Sequence, residues 1–379
     1  MDQRTEFAMK SLRADNFRAL CAEYGISAKT GYKWQQRLLQ FGWAGMAEQS
    51  RRPKHSASEL AEAVVCEIVR LKRAHPYWGP RKIRELHRRL HGQAASESSF
   101  KRVLQRAGLT EPRRHRQQAA EAGRLWSGRR AHAPNDVWTV DFKGWWYDPQ
   151  GQRCEPLTVR DEYSRYILEL RRMPDARTVT VPACFERLFQ RHGLPAAIRS
   201  DNGNPFASTH ALLGLSRLSA WWVALGIDLE RGRPGHPQDN GAHERLHRDI
   251  GVELQPRTAH QDALDLWREE FNQQRPHEAL GMKCPAQLYR HSQRPYAGRP
   301  EDLEYPAMDT RKVGQHGAIK WAGRDVFLTT SLAGWSVGLK PLTSGQYEVC
   351  FGRLLLGWLE PTTESFQRAD IRPLEGSQQ

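Results

Sequence analysis

The sequence predicts three kinds of domain in series: all-α units at the N-terminus, a mixed α/β domain in the middle and a small β-barrel at the end. Three observations carry this. Apolar residues recur at helical spacing up to about residue 110; β-branched and aromatic runs bounded by turns begin near Pro134; short strands punctuated by glycine fill the region past residue 300. At 379 residues the chain is also too long for one ordinary core.

The first unit, residues 1–52, reads as a helix-turn-helix. Phe17, Leu20, Cys21 and Tyr24 follow the i, i+3, i+4, i+7 pattern, and Gly25 is a natural stop. Ser27 caps a second helix in which Trp34, Leu38 and Phe41 face inward while Lys29, Lys33 and Arg37 line the opposite side. An apolar seat under a basic outer face is what a recognition helix needs. "SRRPKHS" then reads as a linker.

A second helix-turn-helix unit, residues 56–110, offers three helical patterns. The first runs from about Glu59 to His75. The second follows "YWGP", with Ile83, Leu86 and Leu90 on one side and Arg81, Lys82, Arg84, Arg88 and Arg89 elsewhere. His87 and His91, four apart on it, read as polar helix residues or phosphate contacts, since no acidic or thiol partners stand at ligand spacing. The third places Phe100, Val103, Leu104 and Ala107 inward and Lys101, Arg102 and Arg106 outward. Two basic helical units in tandem suggest bipartite reading of a DNA site longer than one turn. Residues 111–133 are too polar to pack a core and are expected to form a basic linker along phosphates.

The α/β domain is expected over residues 134–295, with strands in 136–148, 155–173 and 196–201 and a helix in 176–193. Residues 305–375 hold the short strands of the final β domain.

Composition narrows the partners. The chain carries 57 Lys and Arg against 43 Asp and Glu, a net charge of +14, with a mean hydropathy of -0.73. Nucleic acid is the natural partner, the more so because most of the cations are Arg, whose planar fork suits phosphate oxygens. A membrane surface is the competing partner and would need a basic amphipathic anchor or an apolar span, whereas the two basic helical units point to double-stranded DNA. The longest apolar run, "LSAWWVALGI", is about half the ~20 residues a spanning helix requires. The N-terminus lacks an apolar leader, and the six cysteines are scattered without a C-x-x-C pair. A reducing, cytoplasmic and nucleoid-associated setting is expected.

Against that charge, three acids stand out by position. Asp141 falls near the end of the first strand, Asp201 ends the strand at 196–201 within "SDNGNPF", and Glu244 sits just inside a helix beginning near Asn240. Residues at neighbouring strand ends of an open α/β sheet converge on one cleft edge. Three carboxylates at one spot repel unless they hold cations, and their hard oxygens suit Mg²⁺ or Mn²⁺. Two such ions can activate an attacking oxygen and stabilise a leaving one in phosphodiester chemistry. Asp161, Asp239 and Asp249 are rival acids on composition, and Glu244 could simply pair with Arg248.

"WTVDFKG", "IRSDNGNPF", "RGRPGHPQDNGAHERLHRDI" and "FNQQRPHEALGMKCPAQLY", in this order, resemble the signature blocks of DDE transposases from bacterial insertion sequences. The resemblance covers nearly the whole chain, "HPYWGPRKIREL" included. It implies a ribonuclease H-like core similar to that of retroviral integrases. It also implies that Asp141, Asp201 and Glu244 are both the catalytic and the metal-holding residues, and that Asp239 is a loop position. Two Mg²⁺ ions are implied, with Mn²⁺ able to substitute. The implied activity is cleavage at terminal inverted repeats, exposing a 3′-OH, and strand transfer into target DNA by a homo-oligomer.

Two positions depart from the family pattern. The separation of Asp201 and Glu244 is longer than the commonest one in this superfamily, the extra length falling in residues 208–227. Gly251 stands where many relatives carry a Lys further along the catalytic helix, which leaves Arg245 and Arg248 as the DNA contacts expected there. A non-catalytic, sequence-specific DNA-binding protein derived from a transposase is the alternative.

Overall fold

The structure, a computed structural model, describes residues 2–48, 60–110, 128–173, 180–208, 211–232, 240–255, 257–360 and 365–369. The chain divides into two compact units, Met1–Val64 and Val65–Gln379.

The first unit packs α1 (Gln3–Ser11), α2 (Phe17–Glu23) and α3 (Ala28–Phe41) around Phe7, Leu20, Cys21, Trp34 and Leu38. Ser27 Oγ accepts a hydrogen bond from the Thr30 backbone N–H at 3.2 Å, and Asn16 caps α2 in the same way. The helices approach closely at Gly31, where a Cβ would lie 2.6 Å from Cys21 Sγ. Helix α1 was not legible, because only Phe7 and Ala8 give it an apolar side. Phe41, expected inward, is 57% exposed. Trp34 and Leu38 already complete the seat, and the helix ends at Gly42 before its face turns back.

In the second unit, α4 (Glu62–Ala74), α5 (Pro80–His91) and α6 (Glu97–Arg106) share a core of Ile68, Leu71, Trp78, Ile83, Phe100 and Leu104. Pro80 opens α5 at its first turn, where its missing N–H leaves no bond unmade. Two residues expected inside are outside: Leu90 is 56% exposed, and Ala107 also lies at the surface. In their place Glu85 and His87 are buried on α5, because that helix packs on more than one side. The linker expected over residues 111–133 lies outside the described residues as far as 127.

The central sheet contains β1 (Val137–Phe142), β2 (Trp146–Tyr147), β3 (Arg153–Asp161), β4 (Ile167–Met173), β5 (Ala197–Ser200) and β6 (Asp228–Arg231). Its principal order is β4-β3-β1-β5-β6, and β2 extends the β3 edge. The β1–β3 and β3–β4 pairs are antiparallel, whereas β5 and β6 run parallel to β1 and to each other. This is the ribonuclease H-like arrangement the resemblance implied. Helices α7 (Val181–His192) and α8 (Arg217–Ala224) bring Phe185, Phe189, Trp221 and Trp222 into one cluster with Trp138, Val140, Leu157 and Val159 of the sheet. A second cluster joins Ile167 and Leu170 to Leu246 and Ile250 of α9 (Gly241–Glu253) and Phe271 of α10 (Gln261–Gln273).

The C-terminal strands correct one expectation. Five of them, β7 (Asp309–Lys312) and β10 to β13 (Ser336–Pro341, Tyr347–Phe351, Leu354–Glu360, Ser365–Arg368), form an open antiparallel sheet ordered β13-β12-β11-β10-β7. The remaining pair, β8 (Ala318–Trp321) and β9 (Arg324–Phe327), makes a separate hairpin. Among the described residues no hydrogen-bonded ladder closes these strands into a barrel. Glycine-rich turns announce strands, but edge closure depends on long-range pairing that they do not encode.

Candidate active site

Asp141 lies one residue before the end of β1, paired in register with Thr158 of β3. Asp201 directly follows β5, which runs parallel beside β1. Glu244 occupies the first turn of α9, after its N-cap Asn240. Each carboxylate therefore sits where the sequence expected it: two at adjacent strand ends and one on a helix alongside.

Asp141 registers the charges of the other two. The Asp141 carboxyl is pushed up to about 7, first by burial and then by the charge of Asp201, with Glu244 adding to it; the neighbouring Lys143 and a backbone hydrogen bond act the other way. Asp201 is solvent-exposed as a residue, yet partial burial of its carboxyl still raises its pKa against the Gly203 N–H at 3.2 Å and the charge of Arg231. Glu244 is exposed and makes no hydrogen bond or ion pair among the described residues, so the pairing with Arg248 is not formed. The three acids are thus within electrostatic reach. Among the described residues, however, no three His, Cys, Asp or Glu side chains are gathered as a preformed metal cage.

The rival acids are otherwise engaged. Asp161 is buried and accepts from the Asn135 and Ser164 N–H groups at 2.7 Å each, and Asp249 is paired with Arg275 at 3.0 Å. Asp239 lies outside the described residues.

What holds α9 against β1 is a polar cluster to which sequence reasoning gave no role. Thr158 Oγ1 donates to the Asp141 carbonyl at 2.8 Å and lies 2.6 and 2.8 Å from Nε2 of His243 and His247. His243 Nδ1 reaches Thr139 Oγ1 at 2.8 Å. A consistent assignment has both imidazoles donating from Nε2 to Thr158, while Thr139 donates to His243. Burial keeps both rings neutral, pushing His247 down to about 3 and His243 well below its usual value. The two histidines are four apart on the buried face of the helix that carries Glu244 on its exposed face. That spacing was visible in "AHERLHRD", but the partners on β1 and β3 were not.

The expected DNA contacts fall into distinct settings. Lys29 and Lys33 are exposed on α3, and the cations of Lys33 and Arg37 each lie 5.1 Å from the centre of the Trp34 ring. On α6, Lys101, Arg102 and Arg106 are exposed. On α5, Arg81 pairs with Glu97 at 2.7 Å and Glu278 at 3.0 Å, and Arg84 donates to the Ala95 carbonyl at 2.7 Å. Lys82 is half-buried near Arg275, Asp249 and Glu253, and burial pulls its ammonium down to about 8. Arg245 and Arg248 are exposed on α9, Arg245 being 3.9 Å from Asp249. His87 hydrogen-bonds the Gln93 carbonyl at 3.2 Å, and His91 stands 3.5 Å from Glu67.

Known proteins match these regions separately. Residues 131–237 and 225–285 match integrase core domain families, residues 30–104 a homeodomain-like domain and residues 3–54 a helix-turn-helix domain. An uncharacterized 31.7 kDa protein of insertion element IS407 from Burkholderia multivorans is 28% identical over 62% of this chain and 83% of its own length. An uncharacterized 39.2 kDa protein of insertion element IS476 from Xanthomonas euvesicatoria is 26% identical over 65% of this chain and 70% of its own. Among solved structures, the HTLV-2 integrase catalytic core domain in complex with magnesium is 16% identical over 42% of this chain and all of that one, with a TM-score of 0.32. A simian T-cell lymphotropic virus intasome, in complex with PP2A regulatory subunit B56 gamma, is 17% identical over 76% of this chain and 97% of the other, with a TM-score of 0.38.

Proposed function

Because the chain carries an integrase core domain and helix-turn-helix domains and is similar to insertion-element proteins, we propose that it is the transposase of such an element. It binds the element's terminal inverted repeats, cleaves there to expose a 3′-OH, and joins that hydroxyl to target DNA. In the first step water replaces one oxygen substituent of the phosphorus and leaves the 3′-OH. In the second the 3′-oxygen bonds to a target phosphorus and the target's own 3′-oxygen departs. No covalent bond to the protein is required. The domains proposed for this work are 1–52 and 56–110 for DNA binding, 134–295 for catalysis and 305–375 as a C-terminal β domain.

The observation that carries the reading is the placement of Asp141 and Asp201 at adjacent parallel strand ends with Glu244 on the helix alongside, close enough that the charges of Asp201 and Glu244 add to the effect of burial on Asp141. The donors are all carboxylate oxygens, and a hard cation offsets both the burial that chiefly raises Asp141 and the repulsion that adds to it, so the set fits Mg²⁺. These three residues would hold it, as two ions for which Mn²⁺ can substitute. Bound there, Mg²⁺ supplies charge neutralisation at the attacking and leaving oxygens. The chain itself orients the acids: Thr158, His243 and His247 tie the Glu244 helix to the Asp141 strand. Exposed Lys and Arg on α3, α6 and α9 hold the duplexes. Two ends must be brought together, which calls for a homo-oligomer on DNA, at the nucleoid in the cytoplasm.

The test is a strand-transfer assay with Mg²⁺ on a labelled duplex carrying the element's end, comparing wild type with Asp201→Asn. Joined product from wild type and at least a hundredfold less from the mutant is the expected result. Tight binding of the end without nicked or joined product would replace this reading with that of a non-catalytic DNA-binding protein.

A further inference from the structure

Two residues past Asp141, the chain leaves β1 through Lys143 and the left-handed Gly144, at φ 84°. The Lys143 N–H still donates to the Pro156 carbonyl at 3.1 Å, so its backbone is fixed by the sheet. Its side chain is half-buried and runs to α9. A Cβ built on Gly251 would lie 3.7 Å from Lys143 Cε and 3.9 Å from Nζ. Gly251 is seven residues beyond Glu244, two turns along the same side of that helix. The ammonium thus stands over the gap that Gly251 leaves on α9, which Gln255 Oε1 borders at 3.7 Å from the same Cβ position, with Asp141 close behind.

Among the described residues this ammonium makes no hydrogen bond or ion pair. A half-buried cation on a fixed backbone near Asp141, yet not paired with it, is in a position to take an anion from outside the chain. Phosphate is the anion that the site must admit. Gly251 is what permits it: Ala at that position would only touch Lys143, whereas a longer side chain would run into it.

We propose that Lys143 binds a backbone phosphate of the DNA strand being cut, and that Gly251 is the clearance that lets it do so. The inference rests on the transposase reading for the identity of the strand. The opposing possibility is that Lys143 is merely a counter-ion to Asp141, whose carboxyl its charge holds down.

Salt dependence separates the two. Binding of the full-length protein to the end duplex is measured without divalent metal over a range of NaCl, for wild type, Lys143→Ala, Lys143→Arg and Gly251→Leu. A lost phosphate contact flattens the slope of log K against log salt by about 0.9. Lys143→Ala and Gly251→Leu should both show that flattening and give roughly tenfold or more less joined product with Mg²⁺, and Lys143→Arg should restore both. An unchanged slope in Lys143→Ala would overturn the proposal and leave the counter-ion role, whatever happens to activity. Equal joining by Asp201→Asn and wild type would refute the transposase reading instead, while the salt slopes would still decide whether Lys143 touches phosphate.

Discussion

On α3, Lys29 and Lys33 stand in solvent; on α5, Arg81, Arg84 and Arg89 are each bonded to another part of the chain, and Lys82 is half-buried. Both helices have the same sequence character, an apolar seat with cations around it. Arg89 shows the difference most fully. Its guanidinium donates to the Gln274 carbonyl at 3.2 Å, to Cys284 Sγ at 2.8 Å and to the Met282 carbonyl, and pairs with Glu85. A cation row on a helix can therefore be a DNA face or a set of fasteners. What decides is whether carbonyls and carboxylates from distant sequence reach it.

The largest effect that would break this comparison is expected at Arg89. Arg89→Ala strands two backbone carbonyls and removes a partner from the buried Glu85. Each bond to a charged donor is worth roughly 1.5–3 kcal/mol, so urea unfolding should report a loss of about 3 kcal/mol or somewhat more. The salt slope of DNA binding should not change. Lost DNA affinity with stability unchanged to within about 0.5 kcal/mol would make α5 a DNA face after all.

A second difference between the units is titratable. Burial pushes His192 and His247 down to about 3, His277 down to about 2 and His243 well below the ordinary 6.5. In each case the unfolded chain takes up a proton that the folded one refuses, so this stability is complete above pH 6.5 and is lost as pH falls towards 3. Asp141, raised to about 7, works in the opposite sense and gains stability as pH drops, as do Asp161 and Asp201, whose carboxyls burial also pushes up, but these three carboxyls stand against four histidines. Residues 2–48 contain no histidine. Hydrogen exchange followed by segment should therefore show the larger unit softening between pH 7 and 5 while α1 to α3 keep their protection. Equal softening of both units would mean that these histidines do not set the acid response.

The legible parts of the molecule were those with local signals. Asp141 and Asp201 follow β-branched or apolar runs, and Glu244 comes just after a helix start, so their placement needed only neighbouring residues. Strand β6 was missed because Asp228, Leu229, Glu230 and Arg231 are all half-buried and show no alternation. The role of Arg89 was invisible because its partners are some 190 residues away in sequence. Thr158 and the two histidines belong to the same class. A hydroxyl in a strand and imidazoles on a helix become one cluster only once β1, β3 and α9 are assembled.

The smallest effect sharpens the comparison furthest. Lys33 on α3 and Lys101 on α6 are both exposed, so replacing either by Ala should leave stability within about 0.5 kcal/mol of wild type. If both touch phosphate, each mutant should flatten the salt slope by about 0.9. Helix α6 shares its core with α5, whose cations are used internally, so its exposed face is the part of the second helical unit still free to read DNA. A change for Lys33→Ala with none for Lys101→Ala would reassign the whole α4–α6 unit as a brace for the catalytic core. Binding of the element's end would then have to come from the first unit and α9, and bipartite recognition by two helical units would no longer be tenable.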